Sequence, residues 1–498
     1  MSYELKLQRL EEILREFRYL KSMESLLGGR QWGLLPEQGA AYRQEMQALV
    51  AARKTGLFQT AEARELAQYF AETSGNTAVE RGVIRFFLYQ YLTLGLMPQD
   101  LLRQYNLIRA QAMFAWKKAR EAKDFAVFAP YLEQVFTLKK QLALAANPDQ
   151  PAFDTLVAQT DEGLQAAVVS REFEVLKHGL KELLGRLRRS GRDFDDSLLH
   201  KDQDPDKMLA LAKHLVGEMG FDPKRGTINQ QVIHSFTSFM GPRDSRISTY
   251  KSGNPHLLYS LLHESGHAMY SYSTAEEYAA VGLWGGSEGG FHESQSRFME
   301  NIIGRSRAYA QHLLPLLQET FPDFAEVTAE GLAQALNRVQ PSLQRINADE
   351  VTYSLHAIIR FELERDWFAG KLTTQELKKA WDDKYEAYLG VRPQNDLEGI
   401  LQDMHWAGDY IGYFQSYALG NIYDGQILAV LLRDVPDCYE RVGQGNFAPV
   451  LDWLRDHIWQ YGIVYTGSEL MTQLTGKALD AQPFLAYLNR KYGALYGC

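Results

Sequence analysis

Asn254-Pro255-His256-Leu257-Leu258-Tyr259-Ser260-Leu261-Leu262-His263-Glu264-Ser265-Gly266-His267 decides both the fold class and the chemistry of this chain. Asn254 offers a capping oxygen, and Pro255 has the fixed φ of a first helical residue. Leu257, Leu258, Leu261 and Leu262 recur at helical spacing, which predicts a buried helix. On it His263 and His267 stand at i and i+4, one turn apart on one face, where both imidazoles reach a single tetrahedral ion. Glu264 then lies beside the ion, placed to take a proton from a water that the ion acidifies. The competing reading is a pair of helix-face histidines satisfied by hydrogen bonds in a core.

A catalytic ion needs three protein ligands and one open position. Glu293, 26 residues past His267, is the candidate third ligand in Phe291-His292-Glu293-Ser294-Gln295-Ser296-Arg297, which opens a second amphipathic helix able to pack antiparallel to the first. His292 and Glu288 compete with it. The intervening Gly282-Leu283-Trp284-Gly285-Gly286-Ser287-Glu288-Gly289-Gly290 is dense in glycine, so it permits close helix approach and movement over the site.

Outward from the motif the pattern is almost entirely helical. From Tyr3 to Leu27, the residues Leu7, Leu10, Ile13, Leu14, Phe17 and Leu20 form one apolar stripe, and similar stripes fill 60–72, 77–96, 99–145, 152–189 and 205–219. Ser245-Arg246-Ile247-Ser248-Thr249-Tyr250 departs from this pattern and reads as a short strand. It is either an exposed edge able to hold an extended peptide or part of a small structural hairpin. The arginine and lysine residues at 185–192 read as a solvated helix face.

With 498 residues, 45% apolar and 23% charged, the chain has the composition of a globular protein. Its net charge of −9 argues against a nucleic-acid partner. Two cysteines, Cys438 and Cys498, build neither a disulfide framework nor a thiolate metal site, which fits a reducing compartment. Without a basic-then-apolar leader or a long apolar run, the expectation is a cytoplasmic protein without a membrane partner.

These residues resemble the thermostable carboxypeptidase family of prokaryotes and some protozoa, often called carboxypeptidase Taq. Besides the histidine helix and His292-Glu293-Ser294-Gln295, the blocks Asp244-Ser245-Arg246-Ile247-Ser248, Arg345-Ile346-Asn347-Ala348-Asp349 and Gly399-Ile400-Leu401-Gln402-Asp403-Met404-His405-Trp406 occur in the family's order. Three positions depart from its pattern: Ser235 in His234-Ser235-Phe236, where the family has proline, Ser248 for threonine, and Gln344 before Arg345. None removes a ligand.

The resemblance implies a mainly α, two-lobed metallopeptidase with a deep central groove and a small β-sheet beside the active-site helix. We expect one domain over 1–498, with 1–200 as one wall of the groove and 201–498 as the catalytic part. It further implies removal of single C-terminal amino acids with broad preference except for proline, a homodimer, and one zinc ion per chain, a donor set that cobalt or manganese also accepts.

An enzyme of that kind must bind a free carboxylate, which the planar fork of arginine does best. By resemblance Arg345 belongs to the block that binds the substrate's C-terminus; the alternative is an ion pair with Asp349 or Glu350. Asp349 is a candidate to orient a ligand histidine. The spacing of His405, Tyr410 and Tyr413 resembles helical dipeptidyl carboxypeptidases related to angiotensin-converting enzyme. Tyr410 would touch the carboxylate, and Tyr413 with His405 the oxyanion. Arg246 and His234 are weaker candidates. The rival functions are an oligopeptidase or dipeptidyl carboxypeptidase with the same metal core, and a helical scaffold that binds peptides without cleaving them.

Overall fold

The computed structural model describes residues 2–28, 37–230, 232, 234–287 and 289–498. Among them nine α-helices precede a small sheet: α1 (Tyr3–Leu27), α2 (Ala40–Gly56), α3 (Ala61–Ala71), α4 (Ala78–Gln90), α5 (Gln99–Ala122), α6 (Ala129–Ala146), α7 (Ala152–Thr160), α8 (Ala166–Ser190) and α9 (Pro205–Glu218). Strands β1 (Gly226–Gln230), β2 (Phe236–Gly241) and β3 (Asp244–Thr249) follow. Twelve helices complete the order: α10 (His256–Tyr272), α11 (Glu276–Ala280), α12 (Gly290–Arg297), α13 (Arg307–Thr320), α14 (Ala329–Leu336), α15 (Tyr353–Phe368), α16 (Leu377–Leu389), α17 (Phe414–Asp434), α18 (Cys438–Gly443), α19 (Ala448–His457), α20 (Gly467–Thr475) and α21 (Gln482–Tyr496). The fold is mainly helical with one small sheet, as expected, and no described helix is long and apolar enough to cross a membrane.

Two hydrophobic cores carry it. In the smaller, Leu10, Ile13, Leu14 and Phe17 of α1 meet Leu66 and Phe70 of α3 and Val83 and Phe87 of α4, and the cluster docks onto Leu283, Ile463 and Val464 from the C-terminal part of the chain. The larger runs from Tyr105 to Tyr496 and takes in α5 to α8 together with α10, α12, α15, α17 and α21. Each fully buried leucine or phenylalanine contributes about 1.5–3 kcal/mol, so the apolar stripes, rather than helix propensity, hold these helices.

Two expected helical runs are each broken in two. The run at 99–145 stops at Lys123, which takes a left-handed conformation (φ 53°) before Asp124 caps a short 3-10 turn. The run at 152–189 breaks between Thr160 and Ala166, where Gly163 has φ 87°. The periodicity spans both breaks because the fragments on either side face the same core.

The predicted strand is β3, but it is not an edge. The strand order is β1-β3-β2, with β1 parallel and β2 antiparallel to β3, so both sides of its ladder are already paired and cannot receive a peptide. Ser235, where the family pattern has proline, is buried and shares a 2.8 Å hydrogen bond with the Thr249 hydroxyl at the end of β3. Helix α10 starts one residue later than Pro255, and the Asn254 side chain accepts from the His256 N–H at 2.9 Å.

Candidate metal centre and active site

Helices α10 and α12 run antiparallel across the site, since His263 meets Glu300 whereas His267, one turn later, meets His292 and Glu293. Gly266 permits the close approach. A Cβ there would stand 2.4 Å from the Gln295 carbonyl oxygen and 2.6 Å from the Ser296 Cα. The predicted donors His263, His267 and Glu293 converge, with one ligand atom of each within 4.8 Å of the others. His267 Nε2 lies 3.8 Å from a Glu293 oxygen, close to the roughly 3.3 Å that separates donors around a tetrahedral ion with ~2.1 Å bonds. Two imidazoles and a carboxylate suit zinc and several other divalent ions.

The hydrogen bonds around these donors point each ring. His263 Nδ1 stands 3.0 Å from Glu300 Oε2, so Nδ1 donates and Nε2 is left to ligate. Burial disfavours charge on His263, but the Glu300 carboxylate outweighs it and raises the pKa to about 9; Glu300, despite its own burial, is held down at about 2. His292 Nε2 faces the Gly285 carbonyl oxygen at 3.2 Å and must carry a proton there. His267 Nδ1 lies 2.8 Å from His292 Nδ1, and a proton on that side of His267 leaves its Nε2 lone pair facing Glu293. Burial, with His292 and His263 as neighbours, keeps the His267 pKa well below its ordinary value.

His292, the competing candidate, stands outside the converging donors and hydrogen-bonds His267 instead. Glu288, the other competitor, lies outside the described residues. Asp349 does not orient a histidine either. Its carboxylate accepts from the backbone of Gln340, Val351 and Thr352 and from the Thr352 hydroxyl, capping the entry to α15. Glu300 takes the role instead, on the π-helical continuation of α12 (Phe298–Ile303). Its spacing of seven from Glu293, two turns along one face, was the available sequence signal.

Glu264 is buried, and its Oε2 accepts from Thr237 Oγ1 of β2 at 2.7 Å, so the sheet holds the predicted base. Burial raises its pKa, in the direction a base working near neutrality needs. The glycine-dense loop is tied down at several points. Arg18 of α1 donates to the carbonyls of Gly282 and Trp284, and the Ser287 N–H donates to the Tyr270 hydroxyl.

The second cluster lies beside the first. Arg345 is buried and pairs with neither Asp349 nor Glu350. Its Nη1 donates to the Tyr353 hydroxyl at 3.1 Å and its Nη2 to Asp403 Oδ1 at 3.0 Å, while Asp403 also holds Arg360 at 2.6 Å. The two guanidiniums hold Asp403 ionised against its burial. His405 Nε2 shares a 2.9 Å hydrogen bond with the hydroxyl of Tyr417, and the His405 ring stacks on Phe414 with centroids 4.5 Å apart. Burial and the nearby Arg345 push the His405 pKa down to about 3, so the ring is neutral. The rings of Tyr410 and Tyr413 lie 5.6 and 6.5 Å from it. Glu293 adds to the burial that raises the Tyr413 pKa, and His263 and Arg345 both depress that of His234, so the metal donors and the arginine cluster share one electrostatic neighbourhood. Arg246, on the central strand, is paired with both oxygens of Asp244 at 2.9 and 2.7 Å. Asp403, Tyr353 and Tyr417 were missed in the sequence; Tyr417, one helical turn past Tyr413, had a spacing signal.

Comparison with known proteins gives the family. The family model for the carboxypeptidase Taq (M32) metallopeptidases matches residues 9–492. Thermostable carboxypeptidase 1 of Thermus thermophilus is 34% identical over 519 aligned residues covering 100% of both chains, and that of Pyrococcus furiosus is 31% identical over 97% of this chain and 98% of its own. The crystal structure of an M32 carboxypeptidase from Deinococcus radiodurans R1 superposes with a TM-score of 0.93 at 34% identity, covering 99% of this chain and all of that one. With its two-histidine, one-glutamate donor set and adjacent carboxylate, the chain belongs to the carboxypeptidase Taq (M32) metallopeptidase family and is a metallocarboxypeptidase.

Proposed function

We propose that this chain removes single amino acids from the free C-terminus of peptides, with broad preference but not for proline. The observation that carries the reading is the Glu264 carboxylate, held by Thr237 directly beside three converging donors. His263, His267 and Glu293 hold the ion, taken to be a single zinc, which when bound acidifies water and polarises the scissile carbonyl. Glu264 takes the proton of the attacking water as the C–O bond forms, then delivers it to the leaving amine as the C–N bond breaks. Arg345 receives the substrate's terminal carboxylate. Two of its five N–H donors are committed, to Tyr353 and Asp403, and Tyr410 adds a donor from the same ring cluster. Tyr413 and neutral His405 stabilise the oxyanion. The same reading takes the working particle to be a homodimer and its compartment the cytoplasm.

The test is one peptide, with a free or an amidated C-terminus, incubated with metal-loaded and with chelated protein and followed by mass. Stepwise loss of single residues, only from the acid and only with metal, is expected. Internal cleavage of the amide, or release of dipeptides, would overturn the exopeptidase reading, and no cleavage by loaded protein would favour a binding scaffold.

A further inference from the structure

Helix α12 begins on two glycines and has no capping side chain of its own. Gly289 occupies the N-cap position with φ 66°, and among the described residues no hydroxyl or carboxylate adjacent in sequence is seen to satisfy the first turn. The cap comes from 129 residues away: the Gly290 N–H donates to Asp161 Oδ1 at 2.6 Å. Asp161 follows the last residue of α7, and its second oxygen, Oδ2, accepts from the Ser416 hydroxyl at 2.7 Å and the Gln415 amide at 3.1 Å, both in the first turn of α17. One buried carboxylate therefore joins three segments. The glycines make room for it, since a Cβ on Gly289 would fall 2.4 Å from Asp161 Oδ1 and one on Gly290 would fall 2.6 Å from the Leu419 Cβ.

Burying a carboxylate among neutral donors is expensive, and burial lifts the Asp161 pKa to about 6. What it joins suggests why it is there. His292 and Glu293 lie two and three residues beyond Gly290, whereas Tyr413 lies immediately before α17. A negative charge at the start of α12 also complements the helix dipole. We propose that Asp161 is a positioning residue that registers the metal donor Glu293, and the histidine that orients His267, against Tyr413. Its effect on Glu293 concerns the metal site alone, while its effect through Tyr413 rests on the reaction proposed above.

Cobalt loading separates these, because the absorption of bound cobalt reports donor geometry without turnover. Asp161→Ala is compared with Asp161→Asn, whose amide oxygen still accepts from Gly290, and with Glu350→Gln. Glu350 is an equally buried carboxylate, bonded to Tyr487, Lys491 and Tyr492, with no part in the site. Expected for Asp161→Ala are a changed cobalt spectrum, metal affinity lower by about tenfold or more, and a kcat loss exceeding any KM change, with partial recovery in Asp161→Asn. Glu350→Gln should lower Tm with the spectrum unchanged. If the alanine variant does not fold, the asparagine variant carries the spectral and kcat comparison. Wild-type spectrum, affinity and kcat in a destabilised Asp161 variant would overturn the proposal. Inactive wild-type protein would overturn only the reaction, since the spectral comparison still stands.

Discussion

The metal donors and the arginine cluster sit side by side yet are built in opposite ways. His263, His267, Glu293 and Glu300 lie on two antiparallel helical segments, each with a neighbour one or two turns away, so helix geometry brings them together almost unaided. Arg345, Asp403, His405 and Tyr413 come from a 3-10 turn and an irregular connection. They are held by a buried ion-pair cluster, Arg345–Asp403–Arg360, and by Glu364, which accepts from the Trp406 indole at 2.7 Å and the Gly412 N–H at 2.9 Å. Periodic backbone supplies precision locally, whereas irregular backbone depends on buried charge fixed from a distance.

Substitutions can separate the two halves. The largest loss is expected for Glu264→Gln, which should lower kcat about a hundred to ten thousand fold while metal affinity stays near wild type, checked by steady-state kinetics and metal titration. A parallel loss of metal would make Glu264 part of the donor set and blur the division. Next, Arg345→Met should lower kcat/KM for free-acid peptides by about ten to a hundred fold, read from steady-state kinetics, because charged hydrogen bonds are worth about 1.5–3 kcal/mol. A fall in metal affinity of the same size would show that the halves do not act separately. Glu300→Gln should weaken metal binding by about tenfold while KM holds, read from chelator competition.

The smallest effect concerns pH. His405 has its folded pKa near 3, below the 6.5 of a free imidazole, so the unfolded chain binds more protons between those values. Its contribution is complete above pH ~6.5 and is lost as pH falls towards 3. His405→Gln should therefore flatten the dependence of Tm on pH in that window and leave the acid limb of kcat/KM where it was. A shifted acid limb would mean that His405 ionises during turnover.

The sequence was legible wherever one helix carried the information. The stripe of Leu10, Ile13, Leu14 and Phe17 marked α1, and the i, i+4 histidines with Glu293 were singled out as donors that the fold brings together. The strand at 245–250 was found, but an exposed edge and a small hairpin both stayed open, and its place at the centre of three strands was not anticipated. Strand order depends on pairings between segments, and no local alternation reports which side of a strand is already occupied.

Residue types at helical intervals thus determined the fold class and singled out the candidate metal donors and general base, because a helix converts spacing into direction with no outside help. Only the tertiary structure decided that His292 bonds His267, that Asp349 ties the turn ahead of α15, that Arg345 leans on Asp403, and that Asp161 caps a helix 129 residues away. Apart from the local Asp349 turn, these are hydrogen bonds between segments distant in the chain, made because burial leaves a polar group no water to turn to. Which partner it finds is settled by packing, not by sequence neighbours.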